Sequence, residues 1–184
     1  MRKELGVSDS TLLVGHVGRL SAQKNQMRLL DIFEEIYKKN QDSMLIMVGR
    51  GDDENKLMKK AEKLTSKKRI EFLGVRDDVN KLLSAMDVFC FPSTHEGLPF
   101  ALIETQANGL SALSADTVTD LVKVTDFVEF MSLSESDEAW AEKTIELASK
   151  RGENADIKVA DAGYDIYKEA EKLREFYINK ASIN

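Results

Sequence analysis

The chain has 184 residues, 42% apolar and 32% charged, which suits one soluble globular domain with a substantial core. Its net charge of −6 argues against bulk binding to nucleic acid or an anionic membrane, while leaving room for a local cationic pocket. One cysteine, Cys90 in the apolar run DVFCFPS, rules out an internal disulfide framework, and two histidines with no close cysteine partner argue against a zinc site.

Short apolar runs alternate with longer amphipathic ones. TLLVGHVG (11–18) reads as a buried strand, and NQMRLLDIFEEIYKKN (25–40) as a helix with Met27, Leu30, Ile32, Ile36 and Tyr37 facing inward. Strands follow at 43–49, 70–74 and 87–93, separated by helices over 54–68 and 76–86. A helix containing Glu104 comes next, then strands at 111–115 and 127–133, and from about residue 135 the chain reads as helical to its end. Near-continuous apolar strands with helices between them predict a parallel sheet of about six strands, covered on both faces. The right-handed crossover rule makes this a doubly wound, Rossmann-like α/β domain over 1–184. No apolar stretch approaches the roughly 20 residues that span a bilayer, and MRKELGVSDS has no signal-peptide core, so a cytoplasmic location is expected.

Ligands in such folds bind outside the carboxyl ends of the strands. There the loops read HVGRLSAQK, VGRGDD, LGVRDD and PSTHEGLP. In the first, Gly18 is followed by Arg19, and Lys24 lies five residues on, where a helix opens. A guanidinium grips phosphate oxygens bidentately, an ammonium adds a compact charge, and a helix N-terminus adds free amides. Together they can hold a diphosphate without a metal; the alternative is two surface cations near a helix start. No nucleotide-binding P-loop is present, and GRGDDE (49–54) lacks the third glycine of the dinucleotide fingerprint.

The stretch HEGLPFALIETQANG (95–109) places two carboxylates around a proline. Pro99 suits the first helical position, which leaves Glu96 in the loop and Glu104 about five residues into the helix. At 1.5 Å per residue that is roughly 7–8 Å along the axis, so the two could accept hydroxyl hydrogen bonds from different parts of one ligand. The amides of Gly97 and Leu98 could donate to an anion between them. Two acceptors, a donor nest and two cations describe a sugar joined to a nucleotide through a diphosphate. His16 and His95 are read as structural, with lining of the pocket the alternative for His95.

The segments VGHVGRLSAQKN, LIMVGRGDDENKL, IEFLGVRDDVNKLLSAMDVFCFPSTHEGLPFALIETQANGL and AGYDIYKEAEKLREFY together resemble the C-terminal half of glycosyltransferase family 4 (group 1), retaining enzymes of the GT-B fold. The nearest flavour is that of bacterial enzymes building capsular or exopolysaccharide repeats. The resemblance implies that Arg19 and Lys24 neutralise the departing diphosphate, that Glu96 contacts the donor sugar and that Glu104 holds the ribose. It also implies that Gly97 and Leu98 contact phosphate and sugar through their backbone, and that Val75 and Arg76 line the base. The donor would be a nucleotide-diphosphate sugar, a UDP-sugar first, with no metal and no other cofactor.

Gly109-Leu110-Ser111 stands where the family often has Gly-x-Pro, and DTVTD (116–120) stands for a common Gly-Gly turn, which leaves the sugar open. Nothing here corresponds to the family's N-terminal domain, which binds a glycan or lipid-linked acceptor. Met1 is therefore expected to begin a fragment that binds donor without transferring, with any membrane association residing in the other half. An apolar stripe of Tyr164, Tyr167, Leu173, Phe176 and Tyr177 either crosses toward such a domain or packs on this one's sheet. Two competing readings are a glycoside hydrolase using Glu96 and Glu104 as acid and base, for which the cations would be useless, and a non-catalytic nucleotide-sugar-binding module.

Overall fold

A computed structural model describes residues 1–181. Six parallel strands form one sheet: β1 (Leu12–Val17), β2 (Ser43–Val48), β3 (Ile70–Gly74), β4 (Val88–Phe91), β5 (Ala112–Ala115) and β6 (Val128–Met131). Their order is β3-β2-β1-β4-β5-β6, so the chain winds outward from β1 and then returns to build the other half from β4. Six register pairs join β1 to β2, from Leu12–Ser43 to Val17–Val48, but only Val14–Val88 and Gly15–Phe89 join β1 to β4.

Alternate residues of each strand feed opposite faces. Leu13, Ile46, Phe89 and Phe91 pack under α3 (Val79–Ala85), α4 (Phe100–Ala107) and α6 (Ala155–Val159), with Leu82, Leu83, Leu102 and Val159 in the same cluster. Val14, Leu45, Val88 and Cys90 pack under α1 (Gln26–Lys39), α2 (Glu54–Ala61) and α5 (Asp137–Leu147), with Leu30, Phe33, Leu57 and Trp140. The predicted α/β class, strand count and doubly wound form are those observed.

Three local expectations need correction. In α1 the buried set is Gln26, Leu29, Leu30, Ile32, Phe33 and Ile36, while Met27 is exposed and Tyr37 half-buried. Apolar side chains at both phases of the period left the inward stripe ambiguous to sequence alone. The second helix stops at Ala61 rather than Lys68, because Thr65 and Ser66 donate backbone and side-chain hydrogen bonds to Glu34 of α1 and pull that segment out of helical form. Pro99 caps α4 instead of opening it: its ψ of 102° is extended, and Phe100 is the first helical residue.

The C-terminal region is helical as expected, in separate segments. Ser136 starts α5 by accepting from the Ala139 amide, and Gly163, at φ +94°, breaks the chain before α7 (Ile166–Ala181). Only Tyr164 of the aromatic stripe meets the core; Tyr167, Leu173, Phe176 and Tyr177 are exposed, so the stripe does not pack on this sheet.

Candidate functional site at the switch point of the sheet

The order reverses between β1 and β4, and the loops leaving these two strands meet there. The loop after β1 is held from two sides. From below, Gly18 N donates to Val48 O (2.9 Å) and Leu20 N to Arg50 O (3.0 Å), so it runs alongside the loop after β2. From within, the buried Gln26 gives one amide proton to Arg19 O (2.8 Å) and accepts from Ser21 N (3.3 Å). Its other proton faces His16 Nε2 at 3.2 Å.

His16 is fully buried, stacked on Phe89 and Phe91, and lies 3.0 Å through Nδ1 from the carbonyl of Cys90. A carbonyl only accepts, so Nδ1 carries the proton and Nε2 receives Gln26. Burial lowers its pKa to about 4, against the opposing pull of the Cys90 carbonyl, so the ring is neutral at physiological pH. This is a structural histidine. Burial likewise pushes the Cys90 thiol up to about 12, which leaves it inert.

The segment 22–25 is stitched to the loop after β4. Asn25, left-handed at φ 54°, donates to Pro92 O (3.0 Å), Gln23 Nε2 donates to His95 O (2.7 Å), and Gln23 O accepts from Thr94 N (2.8 Å). That stitching brings Lys24 and Glu96 together. Lys24 Nζ lies 2.7 Å from Glu96 Oε1 and 4.7 Å from the Phe91 ring centre, and the two side chains are only 16% and 9% exposed. The Ser93 hydroxyl, 2.6 Å from the same Oε1 and 2.9 Å from Gln23 O, has one proton to divide between them. Gly18 belongs to this cluster, since a Cβ there would sit 3.3 Å from Lys24 Cε.

Glu96 also lines a cavity of about 610 Å³ with His95, Asp116, Thr117, Thr119 and Asp120. His95 is thus exposed at the site, not structural as expected. The DTVTD stretch is its far wall, tied to the Glu96 loop by Thr117 Oγ1 on Ser93 O (2.8 Å) and by a Glu96–Val118 bridge. The buried Gln106 of α4 anchors the segment behind that wall. It accepts from Val124 N, Thr125 N and Thr125 Oγ1 and donates to Val122 O. Gln106→Leu would strand two backbone donors, so it is expected to destabilise the fold by about 2 kcal/mol; urea unfolding checks this, and an unchanged midpoint would mean the segment finds other acceptors.

The remaining predicted residues lie around this centre. Arg19 is exposed and paired with Asp52 at 2.7 Å, both far out in solvent. Gly97 and Leu98 are exposed ahead of α4, and a Cβ at Gly97 would meet nothing within 4 Å. The carboxylate of Glu104 has no hydrogen-bond partner among the described residues and borders a separate cleft of about 340 Å³, between α3 and α4, with Asp77, Val79, Asn80 and Asn108. Partial burial raises its pKa, so its acid form persists to higher pH than that of an ordinary glutamate. Val75 is exposed two residues before Asp77 of this cleft. Arg76 is not brought to it: the guanidinium is committed to Asp78 (2.8 Å) and Glu4 (3.3 Å), which raise its pKa further. Gln26 and Gln106 were not foreseen, and their one signal in the sequence is an amide in register with the apolar positions of its helix.

Sheet order and a site at the carboxyl ends of β1 and β4 place the chain among doubly wound α/β domains. It belongs to the family described as Glycosyl transferases group 1, whose match covers residues 1–163, in agreement with the resemblance carried by its motifs. It is 30% identical over 191 residues to an Escherichia coli UDP-Gal:alpha-D-GlcNAc-diphosphoundecaprenol alpha-1,3-galactosyltransferase, covering 96% of this chain and 48% of that protein. It is 29% identical over 171 residues to the capsular polysaccharide biosynthesis glycosyltransferase CapH of Staphylococcus aureus, covering 90% and 47%. The chain thus spans about half the length of the curated relatives it matches. Among solved structures, the Anabaena protein Alr3699/HepE in complex with UDP shares the fold, with a TM-score of 0.78 at 24% identity over 97% of this chain and 51% of that one. No helix among the described residues is long and apolar enough to cross a membrane.

Proposed function

We propose that this domain binds a nucleotide-diphosphate sugar, a UDP-sugar first, and supplies the donor half of a retaining, metal-independent glycosyltransferase acting on the cytoplasmic side in polysaccharide biosynthesis. The observation that carries the reading is the meeting of Lys24 and Glu96 at the β1–β4 switch point, with Gly18 beside them. Arg19 and Lys24 offer charge to the diphosphate as it leaves, which lowers the barrier without proton transfer. Glu96 accepts from sugar hydroxyls, and the Gly97 and Leu98 backbone meets the phosphate. Glu104 takes the ribose in the α3–α4 cleft, and the base lies along Val75 and the backbone of Arg76, whose guanidinium stays with Asp78. UDP as the nucleotide is supported by the names of the relative and the fold neighbour. The acceptor, a glycan or lipid-linked glycan, belongs to the half of the longer relatives that this chain does not cover.

Calorimetric titration with UDP, GDP and UDP-glucose, repeated in EDTA, tests the reading. Binding that survives EDTA and that Arg19→Ala and Glu104→Ala each weaken by about tenfold is the expected outcome. Binding lost in EDTA overturns the metal-independent mechanism. Binding indifferent to both substitutions puts the nucleotide elsewhere.

A further inference from the structure

We propose that the Lys24–Glu96 ion pair makes this site favour a sugar-bearing diphosphate over a free nucleoside diphosphate, because the phosphate must compete with Glu96 for Lys24. The inference rests on the reading of the site given above and concerns its selectivity.

The pair is built in. Lys24 and Glu96 lie on loops that leave different strands, and the hydrogen bonds of Gln23 and Asn25 to residues 92–95 fix those loops against each other. Neither side chain is free to wander: the ammonium is seated on Phe91, and Glu96 Oε1 is within reach of the Ser93 hydroxyl. Both are largely withdrawn from water. Breaking such a pair by removing one partner leaves a charge that the surroundings no longer compensate. The Arg19–Asp52 pair is a contrast, since at 67% and 84% exposure solvent replaces either partner at little cost.

A free diphosphate arriving at Lys24 meets this carboxylate twice. It must draw the ammonium away from Glu96, and it suffers the repulsion of Glu96 at short range. It returns nothing to the carboxylate. A diphosphate carrying a sugar returns hydroxyl donors. Glu96 has an oxygen ready for them, since Oε2 makes no hydrogen bond among the described residues and the residue borders the 610 Å³ cavity. The penalty therefore falls on the free nucleotide and is relieved for the sugar-bearing donor. After transfer, the nucleotide left behind has lost the group that relieved it, and Glu96 reclaims Lys24 as it departs.

The test compares affinities for UDP and UDP-glucose in the wild-type protein, Glu96→Gln and Asp52→Asn, by calorimetry at one ionic strength. Glu96→Gln is nearly isosteric; Glu96→Ala stands in should it not fold, with thermal melting as the check. We expect UDP to bind about tenfold tighter once the carboxylate is gone, and the preference for UDP-glucose over UDP to fall toward one. Asp52→Asn should shift either affinity by less than about twofold. UDP affinity that is unchanged or weaker without the Glu96 carboxylate overturns the proposal while leaving the assignment of the site intact. Wild-type binding that Lys24→Ala does not weaken overturns the assignment itself, and this proposal with it.

Discussion

In a protein that also carries the acceptor half, Lys24→Ala is expected to lower sugar transfer by about two to three orders of magnitude, the loss typical of removing one preorganised group from a developing charge in a shielded site. Three features argue for the high end. The ammonium is only 16% exposed, so water does not replace it easily. Its stem passes close to Gly18, where a Cβ would sit a tight 3.3 Å from Lys24 Cε, and its head rests on Phe91. Glu96 would then carry its charge beside an empty space where the diphosphate should sit, repelling the group it had helped to place. The same substitution should cost about 1–3 kcal/mol of stability, since Glu96 keeps the Ser93 hydroxyl but loses its cation. Lys24→Arg should not rescue transfer, because the planar guanidinium does not fit a slot shaped for a single nitrogen. The checks are UDP affinity and urea unfolding of this domain, with sugar transfer measured where the acceptor half is present. Transfer within about threefold of wild type would remove Lys24 from the chemistry.

Gly49→Ala should be the most damaging single methyl in the molecule. Gly49 sits at φ +129°, which L residues rarely adopt, and a Cβ there would lie 2.1 Å from the carbonyl oxygen of Gly18. Backbone meets backbone, so no side chain can give way. We expect a loss of about 3 kcal/mol or more in urea unfolding, from strain and displacement together. The loop that moves is the one carrying Arg19, and the Gly18–Val48 hydrogen bond goes with it. UDP affinity should therefore fall along with stability. Gly15→Ala is the internal control: its Cβ would meet Met86 Sδ at 2.0 Å, but a thioether can swing aside, so its cost should be smaller. Equal losses at both positions would mean that the loop after β1 yields as easily as a methionine side chain.

The strands were legible because each is a short run of apolar residues bounded by glycine or charge, a pattern a twice-covered parallel sheet requires. The start of α4 was legible to within one residue from Pro99. What sequence could not give was the phase of α1, where Met27 and Tyr37 compete with Leu29 and Phe33 for the inward stripe. Nor could it give the early end of α2, which is decided by a carboxylate 31 residues away, Glu34 on Thr65. Within the site, residue types pointed to Lys24 and Glu96 separately, but their contact depends on Gln23 and Asn25, ordinary polar residues whose partners lie more than 60 positions along the chain. Arg76 shows a local contact that residue type did not announce: Asp78, two residues on, holds its guanidinium.

The two halves of the sheet share a backbone seam of only two residue pairs, between β1 and β4. Lys24 stands on one bank of that seam and Glu96 on the other. A molecule that engages both spans the join as a cross-brace, adding its own binding free energy to the cohesion of the sheet where the ladder is shortest. Occupancy and the mechanical integrity of the domain then become two readings of one quantity, and a change that loosens the join at Phe89 or Val14 weakens the grip on the ligand without touching a single residue that contacts it.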